Sequence, residues 1–162
     1  MLFGITGHLG SGKTLALTWM AIQQWIEGRD IYSNYNLKIP HYYVRNTNFI
    51  DNMRDGFACM DELWLWADSY KFMTKKTQFV NKVLAKSRKR GFDIGYTTQT
   101  PKQVAKRIRE ITDYWVFPDL NKAETKCRLK FIDMEGTETY RTFATAPIFA
   151  MYNTNEEIEE DD

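Results

Sequence analysis

Short apolar runs alternate with stretches of helical spacing along most of the chain. Residues 2–6, Leu2-Phe3-Gly4-Ile5-Thr6, read as a buried strand, and residues 13–27 carry a strongly apolar helical pattern that Gly28 ends. Further strands are predicted at 30–33, 57–60, 92–98 and 114–117. Residues 78–90 have helical spacing, with Phe79, Val80, Val83, Leu84 and Ser87 on one face and Lys82, Lys86 and Lys89 largely away from it. A second helix after Pro101 sets Val104, Ile108 and Ile111 inward and Lys102, Lys106, Arg107 and Arg109 mostly outward. Residues 34–48 form a polar, aromatic connection of undefined form, and 118–126 a charged, exposed one. Residues 127–134 and 139–145 predict a hairpin turning at Glu135-Gly136. Strands alternating with helices predict an α/β fold with a mainly parallel central sheet flanked by helices, a C-terminal β-hairpin, and ligands at the carboxyl ends of the strands.

Between the first strand and the first helix lies Gly7-His8-Leu9-Gly10-Ser11-Gly12-Lys13-Thr14, which fits the phosphate-loop pattern G-x-x-x-x-G-K-[ST]. Gly7, Gly10 and Gly12 allow backbone angles that a Cβ would obstruct, so successive amides can converge on phosphate oxygens at the positive end of a helix. Lys13 is expected to reach the β- and γ-phosphates, and the Thr14 hydroxyl to ligate Mg²⁺. The loop therefore predicts a bound nucleoside triphosphate, with ATP and Mg²⁺ as cofactors.

Met60-Asp61-Glu62 ends the short apolar strand at 57–60. On a strand beside the phosphate loop, Asp61 would hold the Mg²⁺ shell and Glu62 would orient or deprotonate an attacking water. Thr97-Thr98-Gln99 supplies a polar end to the next strand, where Gln99 could bond the γ-phosphate or the lytic water. Trp64, Trp66, Tyr70 and Phe72 follow the acidic pair; they read as core packing, or as a subunit interface or stacking surface for nucleic acid.

A chain of 162 residues, 43% hydrophobic, supports one domain, set at residues 1–150, and leaves 151–162 as an acidic tail. Its end, Glu156-Glu157-Ile158-Glu159-Glu160-Asp161-Asp162, reads as solvated. The net charge of +1 hides a separation: residues 71–109 hold twelve Lys and Arg against the single acid Asp93. That basic region between Lys71 and Arg109, with 70–76 as a candidate DNA-facing loop, reads either as solvated helix faces or as a surface for DNA phosphates or a neighbouring subunit. No apolar stretch approaches the ~20 residues of a transmembrane helix and no leader is visible, so a cytoplasmic or virion-associated protein is expected. Cys59 and Cys127 share no metal-ligand spacing and read as core thiols; His8 and His41 make a poor metal pair.

The ordered set GHLGSGKT at 7–14, IYSNYNL at 31–37, MDE at 60–62, SRKRG at 87–91, TTQ at 97–99 and KRIREITDY at 106–114 resembles the Zot-like branch of the FtsK/HerA superfamily of P-loop ATPases. The resemblance covers most of the chain to about residue 145 and implies a RecA-like core in an oligomeric ring, commonly hexameric, with ATP between subunits. It implies Lys13 and Thr14 as phosphate and Mg²⁺ ligands, Asp61 as metal carboxylate, Glu62 as catalytic base and Gln99 as γ-phosphate sensor. Either Arg88 and Arg90 or Arg107 and Arg109 would supply an arginine finger to a neighbour, so isolated subunits are expected to be slow. Many Zot-like proteins carry a membrane-spanning segment after the ATPase core, and its absence here turns the expectation toward an ATP-hydrolysing DNA translocase of the viral genome-packaging type, with capsid or other virion proteins as possible partners. The alternatives are a filamentous-phage-type assembly ATPase acting on coat or membrane proteins, and a non-motor nucleotide switch or kinase.

Overall fold

The short apolar runs become one central sheet in the computed structural model, which describes residues 1–46, 48–65, 82, 83, 86 and 89–158. Its strands are β1 (Leu2–Thr6), β2 (Asp30–Ser33), β3 (Tyr42–Tyr43), β4 (Gly56–Met60), β5 (Asp93–Thr98), β6 (Tyr114–Leu120), β7 (Lys126–Asp133) and β8 (Glu138–Ala144). They lie in the order β3-β2-β4-β5-β1-β6-β7-β8. Pairing from β3 to β6 is parallel throughout, and β7 and β8 add antiparallel strands at one edge. The expected hairpin is therefore present, its turn held by Asp133 Oδ1, which accepts from Glu135 N and Thr137 N at 2.9 Å each.

Side chains alternate between two apolar layers, as strands covered on both faces require. On one face the first helix, α1 (Lys13–Ile26), packs Leu15, Leu17 and Met20 with Ile5, Phe57, Cys59, Val116, Leu129 and Phe143. On the other, Ala58, Met60, Ile94 and Tyr96 meet Ile50, Val83, Val104 and Ile108. Those partners come from a helical turn, α2 (Phe49–Asn52), the helical residues Lys82 and Val83, and a short helix, α3 (Lys106–Ile111), that follows a 3-10 turn at Pro101–Gln103. Cys59 and Cys127 are buried free thiols, in line with core packing. Among the described residues no helix is long and apolar enough to cross a membrane.

Several expectations need correction. The strand carrying Asp61 is not beside the phosphate-loop strand: β5 lies between β1 and β4 and pairs with both. Residues 118–120 are not an exposed connection but the end of β6, with Pro118 buried. The pairing of β6 with β1 ends at Val116, so Pro118 lies where that flank has no ladder to interrupt.

Lys82 and Lys86 do not form a free solvated face. Both pair with Asp51 of α2, Lys82 Nζ at 2.9 Å from Oδ2 and Lys86 Nζ with Oδ1. Arg90 Nη1 donates to the carbonyls of Ile50 and Asp51 at 3.1 and 2.6 Å. This part of the basic region thus clamps α2 within the subunit. The Lys82 and Lys86 hydrogen bonds pull the Asp51 carboxyl down to about 2. A depressed carboxyl stabilises the fold fully above its unfolded pKa of ~4 and loses that contribution as pH falls towards about 2. Asp51→Asn should therefore lower the thermal midpoint at pH 7, and its difference from wild type should shrink between pH ~4 and ~2 in melts recorded across pH. Solvent screening of this half-exposed pair keeps the effect below about 1 kcal/mol.

The C-terminal stretch is also less free than its acidity suggests. After the turn α4 (Ala146–Phe149), Lys38 N donates to Met151 O at 2.9 Å and Leu37 bridges Tyr152. Glu156 accepts from Asn36 N at 2.8 Å and Asn36 Nδ2 at 2.6 Å, and Ile158 packs on the core. Residues 151–158 are therefore fastened to the body by apolar anchors set among the acids, while 159–162 lie outside the described residues. The same holds for Phe79, Val80, Leu84, Ser87, Arg88, Trp66, Tyr70, Phe72 and the 70–76 loop; Leu63–Leu65 is a single 3-10 turn.

Candidate functional site

The carboxyl ends of β1, β4 and β5 converge on one edge of the sheet, and the phosphate loop closes over it. Gly10 and Gly12 have φ of 79° and 96°, left-handed angles that a Cβ would strain, and Gly12 caps α1 so that the helix begins at Lys13. A Cβ on Gly7 would stand 2.5 Å from Ser11 Oγ. That hydroxyl is buried without a hydrogen-bond partner, a polar atom left over by the fold at the base of an anion-binding loop. Lys13 Nζ donates to Gly7 O and His8 O, both at 3.0 Å, which keeps the ammonium at the loop mouth. Burial lowers its pKa, while Asp61 and Glu62 push the other way.

Asp61 is fixed from three sides. Thr14 Oγ1, on α1, lies 3.1 Å from both carboxylate oxygens. Thr97 Oγ1, on β5, donates to Asp61 Oδ1 at 2.5 Å and accepts from Glu62 N at 2.7 Å. Asn34, just past β2, grips the backbone: Asp61 N donates to its Oδ1 at 2.8 Å, and its Nδ2 donates to Asp61 O at 2.9 Å. Glu62 then takes φ of 50°, a left-handed angle that costs a residue with a Cβ on the order of 1–3 kcal/mol unless its surroundings impose it. Burial raises the pKa of Asp61 against the hydrogen bonds from Thr97, Thr14 and Glu62 N. Burial, then the Asp61 charge, raises that of Glu62, which brings it nearer the range of a general base.

Around these groups opens a cleft of about 450 Å³. Gly10, Gly12, Lys13 and Thr14 form one wall, Asp61, Glu62 and Thr97–Gln99 the floor, and Leu120, Phe149, Tyr152 and Glu156 the far side. The structure thus joins the expected loop, Asp61, Glu62 and Gln99 in one site; Gln99 is exposed at the end of β5, where its N–H meets Gln103 Oε1 at 3.2 Å. Arg90, Arg107 and Arg109, expected to act on a neighbour's site, do not line their own subunit's cleft. No arginine lines the cleft among the described residues; Arg90 is bound to its own subunit's carbonyls, Arg107 and Arg109 sit on α3, and Arg88 lies outside the described residues.

Lys13 is the one cation among the described lining residues, against the carboxylates of Asp61, Glu62, Glu124 and Glu156. A buried carboxylate with a hydroxyl on both its oxygens suits a hard divalent cation that keeps several waters and takes phosphate oxygens, as Mg²⁺ does. Among the described residues no three His, Cys, Asp or Glu side chains are close enough together to hold a metal ion by themselves. Sequence reasoning missed Asn34 and the Thr97 hydroxyl as parts of the site. The available signal was a polar residue directly after the end of β2 and a threonine among the last residues of β5.

A family model described as zonular occludens toxin (Zot) matches residues 38–148, a span that includes Asp61, Glu62 and Gln99 and begins after the phosphate loop. The ORF2 protein of Spiroplasma virus SpV1-R8A2 B is 27% identical over an alignment of 124 residues that covers 70% of this chain; the chain spans 37% of the length of that curated relative. The fold is similar to the N-terminal domain of zonular occludens toxin from Neisseria meningitidis, with a TM-score of 0.67, 19% identity, and 94% and 98% of the two chains covered. It is also similar to the genome packaging NTPase B204 from Sulfolobus turreted icosahedral virus 2 in complex with AMPPCP, with a TM-score of 0.60, 9% identity, and 86% and 96% covered. These structural likenesses establish a P-loop NTPase fold.

Proposed function

Since this chain belongs to the zonular occludens toxin (Zot) family, we propose that it is an ATP-hydrolysing DNA translocase of the viral genome-packaging type, working in a ring. The observation that carries this reading is the contact of Thr14 with a buried Asp61 beside Glu62, at the mouth of a phosphate loop. A passive nucleotide cradle has no use for a second, partly buried carboxylate held in a strained backbone.

Loop amides and Lys13 bind and orient the triphosphate. Thr14 and Asp61 would hold Mg²⁺, which when bound neutralises charge on the β- and γ-phosphate oxygens. Glu62 accepts a proton from the attacking water as the bond between the γ-phosphorus and the bridging oxygen breaks and ADP leaves. Gln99 orients that water or the γ-phosphate. A cleft with four carboxylates and one lysine is short of positive charge for a triphosphate. This supports an arginine donated by a neighbouring subunit, hence the ring.

The viral relative and the likeness to a packaging NTPase support DNA as the load. In the basic region Lys89, Lys102, Lys106 and Arg107 are exposed, Lys106 within 3.7 Å of Glu110, and these are the described residues that would meet DNA phosphates. ATPase activity should rise with DNA, and the stimulation should fall steeply with added salt as counterion release weakens. Salt-insensitive activity without a DNA response would count against translocation. Family membership favours one second reading, a virion-assembly ATPase acting on coat or membrane proteins; stimulation by liposomes carrying a coat protein, and none by DNA, would select it.

A further inference from the structure

We propose that Asn34 and Thr97 are positioning residues that set the acidic pair Asp61-Glu62 in its working geometry, an inference that rests on the proposed ATP hydrolysis. The ladder between β2 and β4 ends at Ser33 and Cys59, with Asn34 N still donating to Cys59 O at 3.2 Å. Past that point the Asn34 side chain takes over the role of a strand, pairing with both the N–H and the C=O of Asp61. Asn34 is 2% exposed, so both bonds lie away from bulk solvent.

From the opposite side, β5 presents Thr97, 1% exposed, in the register that faces the same dipeptide. Its single hydroxyl ties two functions together. By donating to Asp61 Oδ1 it selects the carboxylate rotamer that meets Thr14, and by accepting from Glu62 N it fixes the left-handed turn that carries the base. Asn34 is outside the cleft lining, and the Thr97 hydroxyl is spent on Asp61 and Glu62 N, so both act through the acidic pair. A small displacement of a catalytic group from its productive position costs on the order of 10²-fold in rate, so both side chains control turnover through Asp61 and Glu62.

Thr97→Val keeps the branched shape and deletes the hydroxyl, whereas Thr97→Ser keeps the hydroxyl. In steady-state ATPase assays Thr97→Val should lower kcat by roughly 10²-fold with KM within about threefold of wild type, and Thr97→Ser should restore most of the rate. Asn34→Ala should show the same split between kcat and KM. Binding of a fluorescent ATP analogue without Mg²⁺ should be unchanged in all three, and in Thr97→Val the gain in affinity on adding Mg²⁺ should shrink. An unimpaired Thr97→Val in an active wild-type background would overturn this inference alone. So would a Thr97→Ser as slow as Thr97→Val, because the hydroxyl would then be irrelevant. A wild type that binds ATP without hydrolysing it would instead overturn the proposed function beneath it.

Discussion

Lys13→Ala is expected to abolish ATPase activity and to weaken ATP binding by about 30-fold or more, since truncating one partner of a hydrogen-bonded charge pair costs on the order of 2–5 kcal/mol. The expectation follows from the charge balance of the cleft. Lys13 is its one cation among the described lining residues, facing four carboxylates. Without it a triphosphate meets acids on every side, and the loop amides and α1 terminus are left to hold the anion alone. The variant should still fold. Lys13 is only partly buried, and the bonds it releases, to the carbonyls of Gly7 and His8, lie in a loop rather than in the core. Titration with a fluorescent ATP analogue and a thermal melt of the same sample check both parts: binding should be lost while the melting temperature holds.

Glu62→Gln should behave in the opposite way. General base catalysis contributes roughly 10²–10⁴-fold, and the rate should fall by that amount while ATP is still bound. Glu62 lies beside the metal-holding carboxylate rather than within it, and Thr97 fixes its backbone N–H independently of the side chain. Replacing the carboxylate by an amide also removes one negative charge from the cleft, so affinity for ATP should stay level or rise. Single-turnover measurements separate the cases. A slow chemical step with tight binding identifies Glu62 as the base, and an unchanged chemical step would assign the proton to another group.

The phosphate loop was legible because its chemistry constrains the backbone: glycines, lysine and threonine must stand at fixed offsets between a strand and a helix. Most strands were legible for a similar reason, since a short continuous apolar run bounded by turn residues is a local signal of a strand buried on both faces. Strand order is not local. That β5 separates β1 from β4 could not be read from the strands one at a time, and with it went the roles of Thr97 and Asn34, which depend on what lies alongside. Helical spacing told which face of residues 78–90 carries lysines but not that Asp51, far away in sequence, waits opposite Lys82 and Lys86. At the C-terminus the abundance of acids concealed two apolar anchors, Tyr152 and Ile158. Glu156 itself is held by Asn36, two residues beyond the Asn34 that grips Asp61. Composition reports the solvation of a segment on average, whereas one tyrosine and one isoleucine are enough to fasten it.

In the proposed function this acidic pair hydrolyses ATP in a site completed by a neighbouring copy, on DNA. The most direct test is the ATPase rate per subunit measured against protein concentration, with and without duplex DNA. An arginine supplied in trans accelerates P-loop hydrolysis by about 10³–10⁵-fold in characterised systems, so the rate per subunit should climb as subunits associate, and climb at lower concentration when DNA is present. A rate per subunit that stays flat across concentration and ignores DNA would rule out a shared, DNA-coupled active site.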